Sequence, residues 1–427
     1  MRRRSGAGAR ARLAAVALLV ATAAGCWLQT GFGPARRAHN DLETEVTAAT
    51  VGELVPRWTA TVGERPLEPI VDRGRVFVPH DGGLTALALG SGTELWSGCC
   101  RGGPAIVDGQ VRVTAPDVDG CRSWSIDPAT GAATDRGPLG PPLQGFPGGC
   151  GTEALLAVGS RVVAPWTVLV GPAPGGSPGP CIRLQSWWLV GPGLTMVDDA
   201  APGGGWEVDR TQGVCTFGDT PPPVPTFGPI SSDGTSVLVP QGPTVEALPL
   251  DCPGGGCPVT WSVDLGAPVV GPPVVLAGGD VAVATADGHV AVVDAASHQV
   301  AWTADVGAPL DHPPAATPGT IVAAGTDGTV AAFPAAGCGA PTCAPAWTGT
   351  LPAPAGARPS IGGDVVYVGG ADGTLTALPA TGCGAATCAP LWTATTPAAI
   401  TGAPVVTAGL VIVGSADGTV SAFGLPT

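Results

Sequence analysis

A short unit repeated along the chain constrains its fold more than any other feature. The clearest copy spans residues 365–392. Residues 365–368, Val-Val-Tyr-Val, are β-branched and aromatic, Asp372-Gly373 supplies a tight turn, and 374–378 alternates small or polar with apolar residues. Trp392 closes the unit in a further short apolar run. The pattern returns with Asp-Gly at Asp287, Asp327, Asp372 and Asp417, and with a closing tryptophan at Trp261, Trp302, Trp347 and Trp392. A period of roughly 40–45 residues carrying about four short strands is how propeller blades read in sequence.

The copies resemble the tryptophan-docking repeat of pyrroloquinoline-quinone-type β-propellers, Ala-x-Asp-x-x-Thr-Gly-x-x-x-Trp. Asp127, Thr130 and Gly131 fit it, with Asp135 where the tryptophan belongs; 86–96 and 292–302 fit it with Ser91-Gly92 and Ser297-His298 at the Thr-Gly positions. The resemblance covers nearly the whole chain after its leader. It implies an all-β, eight-bladed β-propeller of four-stranded antiparallel blades, with Trp58, Trp96, Trp261, Trp302, Trp347 and Trp392 docking blade to blade. Blades are expected at 66–98, 102–136, 150–210, 226–263, 267–304, 308–349, 354–395 and 399–427, the last completed by 54–62. The final repeat stops after three strands, so the N-terminal strand around Trp58 is expected to close the ring and remove two exposed edges. The third blade is the least regular, with Pro/Gly-rich insertions at 138–149, 171–180 and 221–225 around it. Trp166, Trp187, Trp188 and Trp206 gather there, either as an aromatic contact for a partner or sugar or as core for the insertion.

Residues 1–25 hold five arginines followed by an apolar run at 13–24, too short for a spanning helix, and read as a signal peptide. Ala23-Ala24-Gly25-Cys26 resembles a lipobox, which makes Cys26 the expected site of lipidation; ordinary signal cleavage is the alternative. Residues 26–53 are expected to be a lipidated tether, polar and glycine-containing over 27–38, and a lead-in; 54–427 form the propeller. Setting Cys26 aside leaves an even number of the 13 cysteines.

Three pairs, Cys252 with Cys257, Cys338 with Cys343 and Cys383 with Cys388, stand just before a docking tryptophan in three blades. Export allows disulfides, and each pair is expected to staple the loop between third and fourth strands. Three separate blades cannot converge on one ion, and a lone pair lacks four ligands, so zinc is the weaker reading. Among Cys99, Cys100, Cys121, Cys150, Cys181 and Cys215 the sequence does not fix the pairing. Proximity suggests Cys99 or Cys100 with Cys121, and Cys181 with Cys215.

The net charge is −14 with no lysine, and removal of the five leader arginines makes the remainder more acidic still. Such a chain is repelled by nucleic acid, which is excluded as a main partner, and contact with a membrane falls to a lipid anchor. Cys99-Cys100 follows the first closing tryptophan much as an adjacent-cysteine disulfide does in quinoprotein dehydrogenases. Their Asp and Asn-Arg-Gly continuation is replaced by Arg101-Gly102-Gly103, and their calcium-ligand and Trp-Asp catalytic segments have no match. Pyrroloquinoline quinone and calcium are therefore not expected as cofactors. His39, His80, His289, His298 and His312 are scattered without metal-ligand spacing and read as surface residues. Asp117-Val118-Asp119-Gly120 opens like a calcium loop but lacks its twelfth-position Glu and aligns with the other Asp-Gly turns. No catalytic or metal-binding residue is assigned. The reading is a monomeric, non-catalytic binding or scaffold protein on the extracytoplasmic face of the cell membrane, similar to the propeller lipoprotein that assists outer-membrane protein assembly. Envelope proteins or a small ligand are its expected partners; a quinoprotein dehydrogenase and a small-ligand or sugar sensor are the alternatives.

Overall fold

A computed structural model describes residues 26–426 apart from 99, 101, 118–119, 140–148, 151–154, 171–184, 199–204, 210–211, 218–226 and 253–256. Residues 1–25, expected to be a signal peptide, Cys99, Cys181 and much of the three Pro/Gly-rich insertions lie outside the described residues. Eight antiparallel sheets form an eight-bladed β-propeller, and the single helical turn described is Val51–Glu53.

The regular blades follow one pattern of inner, second, third and outer strands. Blade 7 runs Ser360–Gly362, Val365–Gly369, Thr374–Pro379 and Trp392–Thr395. Its second strand is buried along its whole length, as an apolar run with sheet neighbours on both sides requires. At its hairpin the Asp372 carboxylate accepts from the Thr374 N–H at 2.9 Å, which holds the turn, and Asp327 and Asp417 do the same for Thr329 and Thr419. In blade 2 the strands Gln110–Asp117 and Gly120–Ile126 likewise form a hairpin at the candidate calcium loop.

The ring closes as the truncated last repeat requires. Val55–Thr61 pairs antiparallel with Thr419–Gly424 and serves as the outer strand of blade 8. Docking between blades is visible in the tryptophans. The indole N–H of Trp58 donates to the Leu89 carbonyl at 2.8 Å, and that of Trp96 to the Pro128 carbonyl at 3.0 Å. Each ring lies over a left-handed residue of the next blade. A Cβ at Gly131 (φ +73°) or Gly382 (φ +84°) would come within 2.7 Å of Trp96 or Trp347, which is why the repeat demands glycine there. Blade 5 differs: His298 takes this position at φ 56°, and its ring stacks on Trp261 with centroids 5.0 Å apart and planes 9° from parallel.

Blade 3 departs from the four-stranded expectation. It is a six-stranded sheet in which Arg161–Val170 pairs along its whole length with Gln185–Asp198, and that strand pairs in turn with Gly205–Asp209 and Gln212–Phe217. Much of the irregular sequence is therefore strand, and Trp166, Trp187, Trp188 and Trp206 lie on these strands.

Disulfides join Cys252 to Cys257, Cys338 to Cys343 and Cys383 to Cys388. Two of the stapled loops, those closed by Cys338–Cys343 and Cys383–Cys388, also reach across to the preceding blade. Thr303 in the outer strand of blade 5 donates its N–H to the Pro341 carbonyl and accepts from the Cys343 N–H, both at 2.9 Å. Thr348 in blade 6 makes the same pair of bonds with Ala386 and Cys388 at 2.8 Å. Each loop thus covers an otherwise open sheet edge. The suggested partnership of Cys121 with Cys99 or Cys100 is corrected: Cys121 bonds Cys150, with a Cα separation of 4.7 Å. Cys121 opens the third strand of blade 2 and Cys150 lies on the first strand of blade 3, so the bond ties two neighbouring blades rather than one loop.

Candidate functional site

The largest departure from the sequence reading concerns residues 27–38. They are no tether. The segment from Trp27 to Glu43 runs inside the ring and meets the blades one after another. Trp27 exchanges backbone hydrogen bonds with Val71 of blade 1 at 2.7 and 2.8 Å. The Leu28 carbonyl accepts from Ile106 of blade 2, and the Gln29 amide both donates to and accepts from Ala157 of blade 3 at 3.0 Å. Pro34 and Ala35 carbonyls accept from Ser232 of blade 4 and Val275 of blade 5, and those of Arg37 and Ala38 from Ala316 of blade 6 and Ile361 of blade 7. His39–Asn40 adds a parallel fifth strand to blade 7, and the Asn40 side chain donates to the Val406 carbonyl of blade 8 at 3.0 Å. One short segment can touch eight blades only where they converge, on the axis. Inner-strand edges there carry unsatisfied N–H and C=O groups, and the segment supplies their partners.

Burial follows. Trp27, Ala38 and Asn40 are 0 % exposed, and Arg36 only 2 %. The Arg36 guanidinium donates to the carbonyls of Thr30, Ile230 (3.1 Å) and Leu155 (2.9 Å), crosslinking the segment to blades 3 and 4. A composition of small and polar residues reads as tether when solvent is the assumed surroundings. Here the same residues are small enough to fit a crowded bore and polar enough to satisfy its walls.

Above the segment lies a cup of about 450 Å³, within the size range of small-molecule sites. Its floor includes Thr30 and Arg36, and its wall includes residues just before the inner strands, among them Leu67, Glu68, His312, Pro313 and Arg358. Glu68 of blade 1 and Arg358 of blade 7 form a buried, bidentate ion pair, Nε to Oε2 at 3.1 Å and Nη2 to Oε1 at 2.7 Å. Glu68 Oε1 also accepts from the Trp27 indole at 3.0 Å and the Gly31 N–H at 2.7 Å. The carboxylate therefore clamps the axial segment to two blades. Burial pushes the His312 imidazole below its usual range, with Arg358 adding to the effect and Asp311 opposing it. Its ring is held by a hydrogen bond to the backbone of Ala355.

This places the histidines anew. His289 is exposed and His298 half-buried against Trp261, whereas His312 lines the cup and burial also lowers His39 beside the axis. The sequence carried no signal for either: each stands in an irregular stretch outside the repeat. Cys100 is disulfide-bonded and packs with Ile70, Phe77 and Leu84 in the core rather than in the cup wall. Cys26 sits at the far end of the bore, its thiol 3.6 Å from Asp72 Oδ1 and pushed up by burial.

A quinone polarised by calcium needs a carboxylate free for the ion. The buried carboxylate of the cup is engaged by Arg358, Trp27 and Gly31. Among the described residues no three His, Cys, Asp or Glu side chains gather in a metal-binding group. The second carboxylate of the cup, Asp311, is exposed among its lining residues.

These features define the class: an eight-bladed β-propeller whose bore is closed by its own N-terminal segment. The particular likeness lies in the second half, where residues 256–337 and 336–425 match the family described as outer membrane protein assembly factor BamB. Among solved structures, BamB from Moraxella catarrhalis is 16 % identical with a TM-score of 0.55, covering 87 % of this chain and 99 % of its own. The quinohemoprotein alcohol dehydrogenase of Comamonas testosteroni is 17 % identical with a TM-score of 0.61, covering 95 % of this chain and 81 % of its own. That of Pseudomonas putida HK5 is 14 % identical with a TM-score of 0.60, over 96 % and 82 %. At these identities the likeness is one of fold. A search of the curated proteins finds no match to this chain.

Proposed function

We propose that the chain is a non-catalytic binding or scaffold protein of the cell envelope, exported by residues 1–25, held by a lipid on Cys26 at the extracytoplasmic face of the cell membrane, and presenting its propeller to envelope proteins. One observation supports the non-catalytic reading: Glu68, the buried carboxylate of the cup, is engaged in holding the axial segment to the ring. The resemblance to BamB in the second half points the same way. No helix among the described residues is long and apolar enough to cross a membrane, which accords with a lipid as the anchor. The test is thermal shift and absorbance of the mature protein incubated with pyrroloquinoline quinone and calcium. No change in melting temperature and no bound quinone are expected; stoichiometric quinone with dye reduction would make the chain a dehydrogenase instead.

A further inference from the structure

The axial segment enters and leaves the bore on one face. Cys26 stands against Asp72 and Arg73, at the turn after the inner strand of blade 1. At the other end of the segment, Asn40 accepts from the Gly363 N–H at 3.0 Å, Glu43 from the Gly409 N–H at 3.0 Å, and Ala48 donates to Asp364 at 2.9 Å. Those residues form the same inner-to-second-strand turns in blades 7 and 8. Between these ends, Thr30 and Arg36 rise to form the floor of the cup, whose wall residues Leu67, Glu68, His312 and Arg358 precede the inner strands. The cup and Cys26 therefore lie at opposite ends of the bore.

We propose that the face bearing the inner-to-second-strand turns lies against a lipid bilayer and that the cup faces away from it, toward arriving partners. The inference rests on the proposed acylation of Cys26. A flexible tether of twelve residues would span about 20 Å and leave every orientation open. Here the residue after Cys26 is clamped by both of its backbone hydrogen bonds to Val71, and Trp27 is 0 % exposed. An acyl chain on Cys26 has no slack: it reaches a bilayer only when this face is brought down onto it. Charge contributes little, because so acidic a chain has no attraction for anionic lipid; the lipid chain and the axial clamp set the pose.

Two positions at opposite ends of the same inner strand of blade 6 (Ala315–Ala316) report the pose. Asp311 is exposed on the cup side, and Gly319 is exposed on the turn side with open space around it. The full chain carrying Asp311→Cys or Gly319→Cys is exported in a bacterium, purified, and placed in phosphatidylcholine vesicles, and polyethylene-glycol maleimide labelling is compared with that in detergent. Mass spectrometry of the N-terminal peptide reads the acyl group. The expected result is an acylated chain in which vesicles slow labelling at position 319 several-fold and leave 311 unchanged. An acylated chain labelled equally at both positions, or protected at 311, overturns the pose alone. A mature chain without an acyl group overturns the anchor and the pose with it.

Discussion

The ring is closed twice by the same stretch of chain, once on its outside and once on its inside. Outside, Val55–Thr61 completes blade 8 and Trp58 docks onto blade 1. Inside, residues 27–43 join all eight inner strands through backbone bonds, the Gln29 and Asn40 side-chain amides, two buried guanidinium groups and the carboxylates of Glu43 and Glu68. The outer closure is made of the same parts as every other blade, so its strength is that of one more sheet and one more apolar ring. The inner closure is a polar structure in the driest part of the molecule. Each of its groups depends on its partner being present, because a lone buried charge costs far more than a missing apolar contact.

That difference sets the order of mutational effects. Glu68→Ala leaves Arg358 buried without its counter-ion and orphans the Trp27 and Gly31 donors, so a loss of about 4 kcal/mol is expected in chemical denaturation. Adding Arg358→Leu to that variant should restore part of the loss, and a double variant weaker than the single would show the pair is not the linchpin of the inner closure. Trp58→Ala at the outer closure should cost about 3 kcal/mol, the usual cost of truncating a well-packed indole. A loss at Trp58 greater than at Glu68 would invert the comparison. Replacing Cys338 and Cys343 together by Ser frees only a small loop, and about 2 kcal/mol is expected from the chain-entropy estimate. Protection of the Thr303 amide in hydrogen exchange should fall in the same variant, since Thr303 bonds the stapled loop. The smallest effect concerns pH. Because burial holds the His312 imidazole below its ordinary value of 6.5, the unfolded chain takes up the proton first on acidification. Stability is therefore full above that value and declines as pH falls toward the lowered folded pKa. Denaturation midpoints of His312→Gln should show a shallower acid dependence over that window than the parent chain.

The outer parts of the ring were legible because each is repeated. Asp372-Gly373, Trp392 and their counterparts recur at a fixed spacing, and the incomplete last repeat pointed to the strand around Trp58. The paired cysteines at 252, 338 and 383 were equally readable as staples. Their second task was not: covering Thr303 and Thr348 is a contact between neighbouring blades, and the spacing within a loop holds no record of it. The axial segment was illegible for a sharper reason. Trp27, Gln29, Arg36, Asn40 and Glu43 follow no period, and their partners are mostly backbone carbonyls and amides, which every sequence possesses. His312 and Glu68 likewise stand in connections before inner strands, where the repeat imposes nothing. The one visible trace was Arg358, a charged residue in a stretch of Pro, Ala and Gly. A buried ion pair between residues 290 positions apart can be recognised only once both ends are in place.

The axial segment also fixes a sequence of events in time. Its partners extend from Val71 to Gly409, nearly the whole length of the chain. Residues 27–43 precede every blade along the chain, yet their last bonds, to Val406 and Gly409, wait for the final blade. Contacts so distant along the chain are slow to form. Until they do, the half-built ring keeps its inner edges open, and the segment that precedes every blade is the last to find its place.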